Sequence, residues 1–112
     1  MSDLTSKTCK PCEGGIAPLT AIEAQRFLKE LNSEWRLSPA SDSLHREWKF
    51  RNFFHTMSFV NAAAHIANAE DHHPDLEVGY GYCRVKYTTH AINGLSENDF
   101  ICAAKFDAIA KT

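Results

Sequence analysis

Six histidines occur in this chain of 112 residues, and three of them sit where a turn of the backbone could gather them. His72 and His73 are adjacent in Asp71-His72-His73-Pro74, and His90 closes a later run of alternating residues. If the chain folds back at Gly81, within Gly79-Tyr80-Gly81-Tyr82, His90 returns opposite His72. Cross-strand neighbours approach to roughly 5 Å between Cβ atoms, and a slip of one residue would bring His90 to His73 instead. Imidazoles titrate near about pH 6.5, so a group of them can hold one neutral and one protonated member at neutral pH. That pairing suits a reaction that removes one proton and delivers another, such as elimination of water. A solvated histidine cluster at a sheet edge is the plainer reading. A three-histidine zinc site is disfavoured, because adjacent extended residues project to opposite faces and neither His72 nor His73 belongs to a chelating i, i+4 pair. His45, His55 and His65 each stand alone and are read as ordinary surface or boundary residues.

The elements that must position these residues follow from periodicity and caps. Thr20-Ala21-Ile22-Glu23 is a capping box, and Ala21, Ala24, Leu28 and Leu31 then recur at helical spacing, predicting a first helix to about Leu31. Trp35 to Leu37 and Leu44 to Phe50 read as strands joined by the turn-rich run 38–43. Asn52 is a cap for a second helix to about Ala69, with Phe53, Met57, Val60, Ala64 and Ala67 on one line and Phe59, Ala63 and Ile66 beside it. Pro74 pushes His73 into extended backbone. Leu76, Val78 and Tyr80, then Cys83, Val85, Tyr87 and Thr89, alternate with polar residues and predict a second hairpin. Ser96 with Asp99 at its third position opens a last helix whose Phe100, Ala103, Phe106 and Ala110 can face the core. An acid such as Asp99 in a first helical turn is stabilising whatever the function. The expected order is αββαββα, an α+β domain with a four-stranded antiparallel sheet and helices packed on one face.

The length allows one domain, placed at 18–112 after a flexible N-terminal tail at 1–17. Within the tail, Cys9-Lys10-Pro11-Cys12 has the C-x-x-C spacing of zinc and redox sites, but one pair supplies only half a tetrahedral set, and no strand-helix pattern surrounds it. Twelve basic against fourteen acidic residues leave a charge of −2 with no basic cluster, which excludes the footprint of a nucleic-acid or anionic-membrane binder. No stretch approaches a membrane span, and no export signal is seen, so the expectation is a cytoplasmic protein with reduced cysteines.

With these residues in place, the sequence resembles the pterin-4a-carbinolamine dehydratases. The likeness rests on His72-His73-Pro74, Tyr80, His90, Gly94-Leu95-Ser96 and Asp99, and it runs from about Pro18 to the C-terminus. The resemblance implies dehydration of 4a-hydroxytetrahydropterin to quinonoid dihydropterin, a step in tetrahydrobiopterin recycling with a functional link to an aromatic amino-acid hydroxylase. It implies that His72, His73 and His90 are the catalytic histidines, that Pro74, Thr88 and Thr89 line the pterin pocket, and that Asn68 and Asp99 support them. Neither metal nor organic cofactor is implied, and the assembly implied is a homotetramer built as a dimer of dimers. Asn68 is a departure, since the family usually carries an ionisable residue, often Glu, at that place. Its expected role is to orient the pterin from the mouth of the histidine cluster. Two alternatives stay open: a weakly active pterin-binding or dimerisation module serving another protein, and a pterin carrier. The intact histidine trio favours the enzyme.

Overall fold

The computed structural model describes residues 4–11 and 16–110. Three helices, α1 (Ala21–Leu28), α2 (Phe53–Glu70) and α3 (Glu97–Ala110), pack with four strands, β1 (Arg36–Leu37), β2 (Leu44–Lys49), β3 (Asp75–Gly79) and β4 (Tyr82–Tyr87). The strands form one antiparallel sheet in the order β1-β2-β4-β3. On β4, Cys83, Val85 and Tyr87 are buried while Arg84 and Lys86 are exposed, so the helices cover one face and leave the other to solvent. The αββαββα order and the α+β class are as the periodicity indicates, with short 3-10 turns added at Leu4–Ser6 and His90–Ile92. Among the described residues, no helix is long and apolar enough to cross a membrane.

The helix starts are set by their caps. Thr20 accepts from the Glu23 amide at 3.2 Å while the Glu23 carboxylate accepts from the Thr20 amide at 2.9 Å. Asn52 accepts from the His55 amide at 2.9 Å. α1 stops at Leu28, a turn short of Leu31. α2 buries Thr56, Phe59, Ala63 and Ala67, whereas Phe53 is 50% exposed. Phe59, Ala63 and Ala67 thus lie within the expected wide apolar face, with Val60 and Ile66 packed beside them, while Phe53 at its start turns outward and Thr56 turns in.

Two further expectations are corrected. Ala110 is exposed, while Asn98, Ile101, Cys102 and Ala104 join Phe100, Ala103 and Phe106 in the interior. α3 is buried more widely than its stripe implies because the N-terminal segment covers its far side. Residues 4–11, expected within a flexible tail, pack against the domain, with Leu4 only 1% exposed and part of the core. Cys12, the second cysteine of the C-x-x-C pair, lies outside the described residues.

Candidate active site

The site begins where α2 ends. Asp71 takes left-handed backbone, φ 51° and ψ 43°, and the His72 amide donates to the Ala67 carbonyl at 3.1 Å, closing the helix and turning the chain toward β3. His72 is thereby set against two neighbours. Its ring stacks on Tyr87, with centroids 5.2 Å apart and planes 5° from parallel, and the Tyr87 hydroxyl donates to the His72 carbonyl at 3.0 Å. Its Nε2 lies 2.6 Å from Oδ1 of Asp99, which is fully buried. A carboxylate only accepts, so Nε2 carries the proton and Nδ1 is the nitrogen free for chemistry.

Asp99 itself is held from the other side. Its Oδ2 accepts from the Ser96 amide at 3.0 Å, which caps α3, and from the Thr89 hydroxyl at 2.8 Å. With its proton given to Asp99, Thr89 accepts in turn from the Ser96 hydroxyl at 2.8 Å. Burial alone would push the His72 pKa down, but the hydrogen bond and the charge of Asp99 outweigh it, and the net direction is upward. His72 is accordingly biased toward the imidazolium.

His73 is exposed, and its Nε2 lies 3.0 Å from Oδ1 of Asn68. The Asn68 carbonyl accepts from that nitrogen, which places the lone pair of the neutral ring on Nδ1. The histidine that Asn68 contacts is His73. Pro74 is half-buried and follows His73 into β3.

The β3–β4 register runs from Asp75↔Lys86 to Gly79↔Tyr82, so its continuation sets His72 opposite Thr89 and not opposite His90. The two-residue turn Tyr80-Gly81 closes the hairpin one step earlier than a turn centred on Gly81 would. Gly81 is needed there, since a Cβ would stand 2.8 Å from the Phe50 carbonyl oxygen. His90 falls beyond β4 in the 3-10 turn His90–Ile92 and is exposed. It lines a cleft of about 270 Å³ with Asp42, Lys86, Thr88 and Asn93. The expected meeting of His90 with His72 is thus corrected, and the residue that reaches the His72 partner is Thr89. Thr89 is 3% exposed and has its hydroxyl engaged, so it holds Asp99 and does not line an open pocket. Thr88 donates to the Asp42 carbonyl at 2.7 Å on the His90 side.

His72 opens on a different cleft, of about 370 Å³, walled by Glu70, Asp71 and Asn98 on one side and by Cys9, Lys10 and Pro11 on the other. The N-terminal wall has no counterpart in the sequence reading. It is fixed by the Cys9 amide donating to Glu70 at 2.7 Å and by a reciprocal pair between Lys10 backbone and Asn98 side chain at 3.1 and 2.6 Å. Among the described residues, no group of three or more His, Cys, Asp or Glu side chains is arranged to hold a metal ion.

A buried carboxylate stands behind one imidazole and a neutral amide behind a second, on an α+β scaffold, an arrangement chemically able to give and take protons. Residues 17–109 match the family Pterin 4 alpha carbinolamine dehydratase. A protein of Nitrosomonas europaea with the provisional name pterin-4-alpha-carbinolamine dehydratase is 56% identical over 110 residues, covering 98% of this chain and 96% of that one. A Legionella pneumophila (strain Corby) protein with the same provisional name is 54% identical over 108 residues, covering 96% of each chain. The crystal structure of a transcriptional coactivator/pterin dehydratase from Brucella melitensis superposes with a TM-score of 0.78 at 33% identity, covering 83% of this chain and 98% of that one. A pterin dehydratase-like protein identified as a RuBisCO assembly factor in the alpha-carboxysome shares the fold, with a TM-score of 0.61 at 22% identity over 70% of this chain and 92% of its own. The chain belongs to the pterin-4a-carbinolamine dehydratase family, and the activity its relatives are named for is that of a hydro-lyase.

Proposed function

We propose that this protein dehydrates 4a-hydroxytetrahydropterin to quinonoid dihydropterin and water by histidine acid-base catalysis, in the recycling of tetrahydrobiopterin. The observation that carries the reading is the asymmetry of the adjacent imidazoles. His72 leans on the buried Asp99 carboxylate and is biased toward its protonated form, which suits it to protonate the departing 4a-hydroxyl. His73 gives its Nε2 proton to a neutral amide, so its neutral ring turns the Nδ1 lone pair to the pterin N5 proton. The C4a–O bond breaks as the N5–H electron pair forms the N5=C4a double bond, and water leaves. His90 and Thr88, on the second cleft, and Pro74, beside His73, are proposed to contact the pterin, while Thr89 acts through Asp99. Proton transfer is all the reaction requires, so no cofactor is invoked.

A homotetramer built as a dimer of dimers is part of this reading. β3 is an edge strand, and Val78, Tyr80, Phe53 and Phe54 expose 39%, 70%, 50% and 74% of their surface around it, more than a lone sheet edge tolerates well. A cytoplasmic location is part of the same reading. A functional link to an aromatic amino-acid hydroxylase follows from the substrate. The Brucella relative's description as a coactivator favours a second reading, in which the same exposed residues serve a protein partner and turnover is low. Freshly generated 4a-carbinolamine, followed by absorbance to quinonoid dihydropterin with and without protein, decides between them. Dehydration no faster than the spontaneous rate would remove the enzymatic reading.

A further inference from the structure

Cys9 and Cys102 are far apart in sequence, yet their sulfurs lie 3.6 Å apart. Cys102 is fully buried on α3, and Cys9 is half-buried at the wall of the cleft beside His72. The approach is not a chance meeting of loose side chains. The backbone on either side of Cys9 is anchored, by the insertion of Leu4 into the core before it and by the Lys10–Asn98 pair after it, while its own amide is tied to Glu70. Its sulfur also lies 3.7 Å from the Asn98 carbonyl, one turn before Cys102 on the same helix. A disulfide needs its sulfurs at about 2.05 Å, so the pair must close by roughly 1.5 Å.

We infer that Cys9 and Cys102 are a redox-active dithiol that a peroxide converts to an intramolecular disulfide, stapling the N-terminal segment to α3. Cys9 meets the oxidant because it borders the cleft. The hydrogen bond to Cys102 and burial hold the Cys9 thiol protonated, and the same bond favours the thiolate on Cys102. As the Cys9 proton passes to the Cys102 sulfur, the Cys9 sulfur attacks hydrogen peroxide, the O–O bond breaks, one water leaves after protonation, and Cys9 becomes a sulfenic acid. The Cys102 sulfur then attacks that sulfenic sulfur, the S–O bond breaks, and a second water leaves with the Cys102 proton. Two thiols and one peroxide give one disulfide and two waters, the sulfurs losing two electrons and the peroxide gaining them. The bond would lock Cys9, Lys10 and Pro11 in place as a wall of the His72 cleft. Its formation does not depend on the substrate proposed for that cleft.

The obvious competitor is Cys12, three residues from Cys9 in the C-x-x-C spacing. The full-length reduced protein should be treated with hydrogen peroxide, its remaining thiols alkylated, and its digest mapped by mass spectrometry. The expected result is a Cys9–Cys102 linked peptide, loss of two hydrogens per chain and reversal by dithiothreitol. The link should persist in Cys12→Ser and vanish in Cys9→Ser, a substitution at a half-buried position that spares the core. A Cys9–Cys12 link, a link between chains, four free thiols after excess peroxide, or stoichiometric zinc on the cysteines of the purified protein would each overturn the inference.

Discussion

Replacing Asp99 with asparagine tests the site where its chemistry and its architecture meet. Three donors converge on the carboxylate: His72 Nε2 at 2.6 Å on one oxygen, the Thr89 hydroxyl at 2.8 Å and the Ser96 amide at 3.0 Å on the other. An asparagine has the same shape but offers one accepting oxygen and one donating nitrogen. With its oxygen toward His72, the Ser96 amide faces a second donor and the helix cap is lost. With its oxygen toward Ser96, His72 must present a lone pair at Nε2 and carry its proton on Nδ1. Losing a charge-assisted bond costs about 2 kcal/mol and stranding a buried donor about 1 kcal/mol more, so about 3 kcal/mol should be lost. In a domain of this size that lowers Tm by roughly 15 °C. The loss should also depend on pH. A folded-state pKa raised for His72 contributes stability that is complete below the ordinary histidine value of about 6.5 and fades as pH rises through the higher folded value. The gap between the two proteins should therefore narrow toward alkaline pH. Dehydration should fall by about 100-fold, the range for losing a positioned acid, and the His72 imidazole should titrate lower by NMR. Urea melts across the pH range, carbinolamine turnover and imidazole titration read the three effects. An Asp99→Asn protein that lost under about 0.5 kcal/mol, the ordinary scatter of surface changes, with His72 titrating as before, would refute the reasoning.

His72→Ala and His90→Ala should each slow dehydration by about 100-fold or more, and His90→Ala, at an exposed position, should leave urea melts within about 0.5 kcal/mol; full activity of the His90 variant would remove that residue from the site. Asn68→Glu places a charged acceptor on His73, roughly twice as strong as the neutral one, so it should hold the proton there and lower turnover at neutral pH; a change confined to KM would show that residue 68 touches the pterin instead. Leu4→Ala should cost about 2–4 kcal/mol by denaturant melting, as for a core leucine, where a residue of a free tail would cost nothing. Sedimentation should show a species larger than the 12.6 kDa chain at micromolar concentration, and Tyr80→Lys at the exposed edge should weaken it; a monomer would end the tetramer proposal.

Local signals carried most of the fold into view. Capping residues Thr20 and Asn52 mark helix starts because their side chains satisfy amides that no helix can satisfy for itself. The alternation from Cys83 to Tyr87 identifies the face of β4 because one side is dry. What stayed hidden depends on residues far apart in sequence. The hairpin between His72 and His90 has two glycines within four residues, and either could centre the turn, so the register was ambiguous by the one step that separates Thr89 from His90. The Ser96-to-Asp99 spacing announces a helix cap, but nothing local says that the second carboxylate oxygen meets an imidazole 27 residues away. The packing of residues 4–11 was invisible for the same reason: a short polar segment with one apolar anchor looks like a tail until the groove that receives Leu4 exists.

The row of β2 that faces the core contains a cation. Arg46 stands between Leu44 and Trp48, its guanidinium 4.2 Å above the Trp48 ring centre and 2.7 Å from Asp107 on α3. Asp107 also accepts from the Trp35 indole at 2.7 Å and the Asn32 amide at 3.0 Å, so one carboxylate touches α3, β2 and the segment leading into β1. Such a pair, only about a tenth exposed on each side, contributes little net stability over apolar residues of the same volume. Its consequence is discrimination between alignments. Sliding β2 by two residues would keep every apolar side chain pointing inward and would pass any test based on hydrophobic pattern. It would also strand Arg46 and Asp107 apart in a dry interior, a loss of about 3–5 kcal/mol. The charge inside the barrier between helix and sheet thus rejects the near-miss that oiliness alone would accept, and with β2 pinned, β4 and the hairpin that presents His72 inherit a single address.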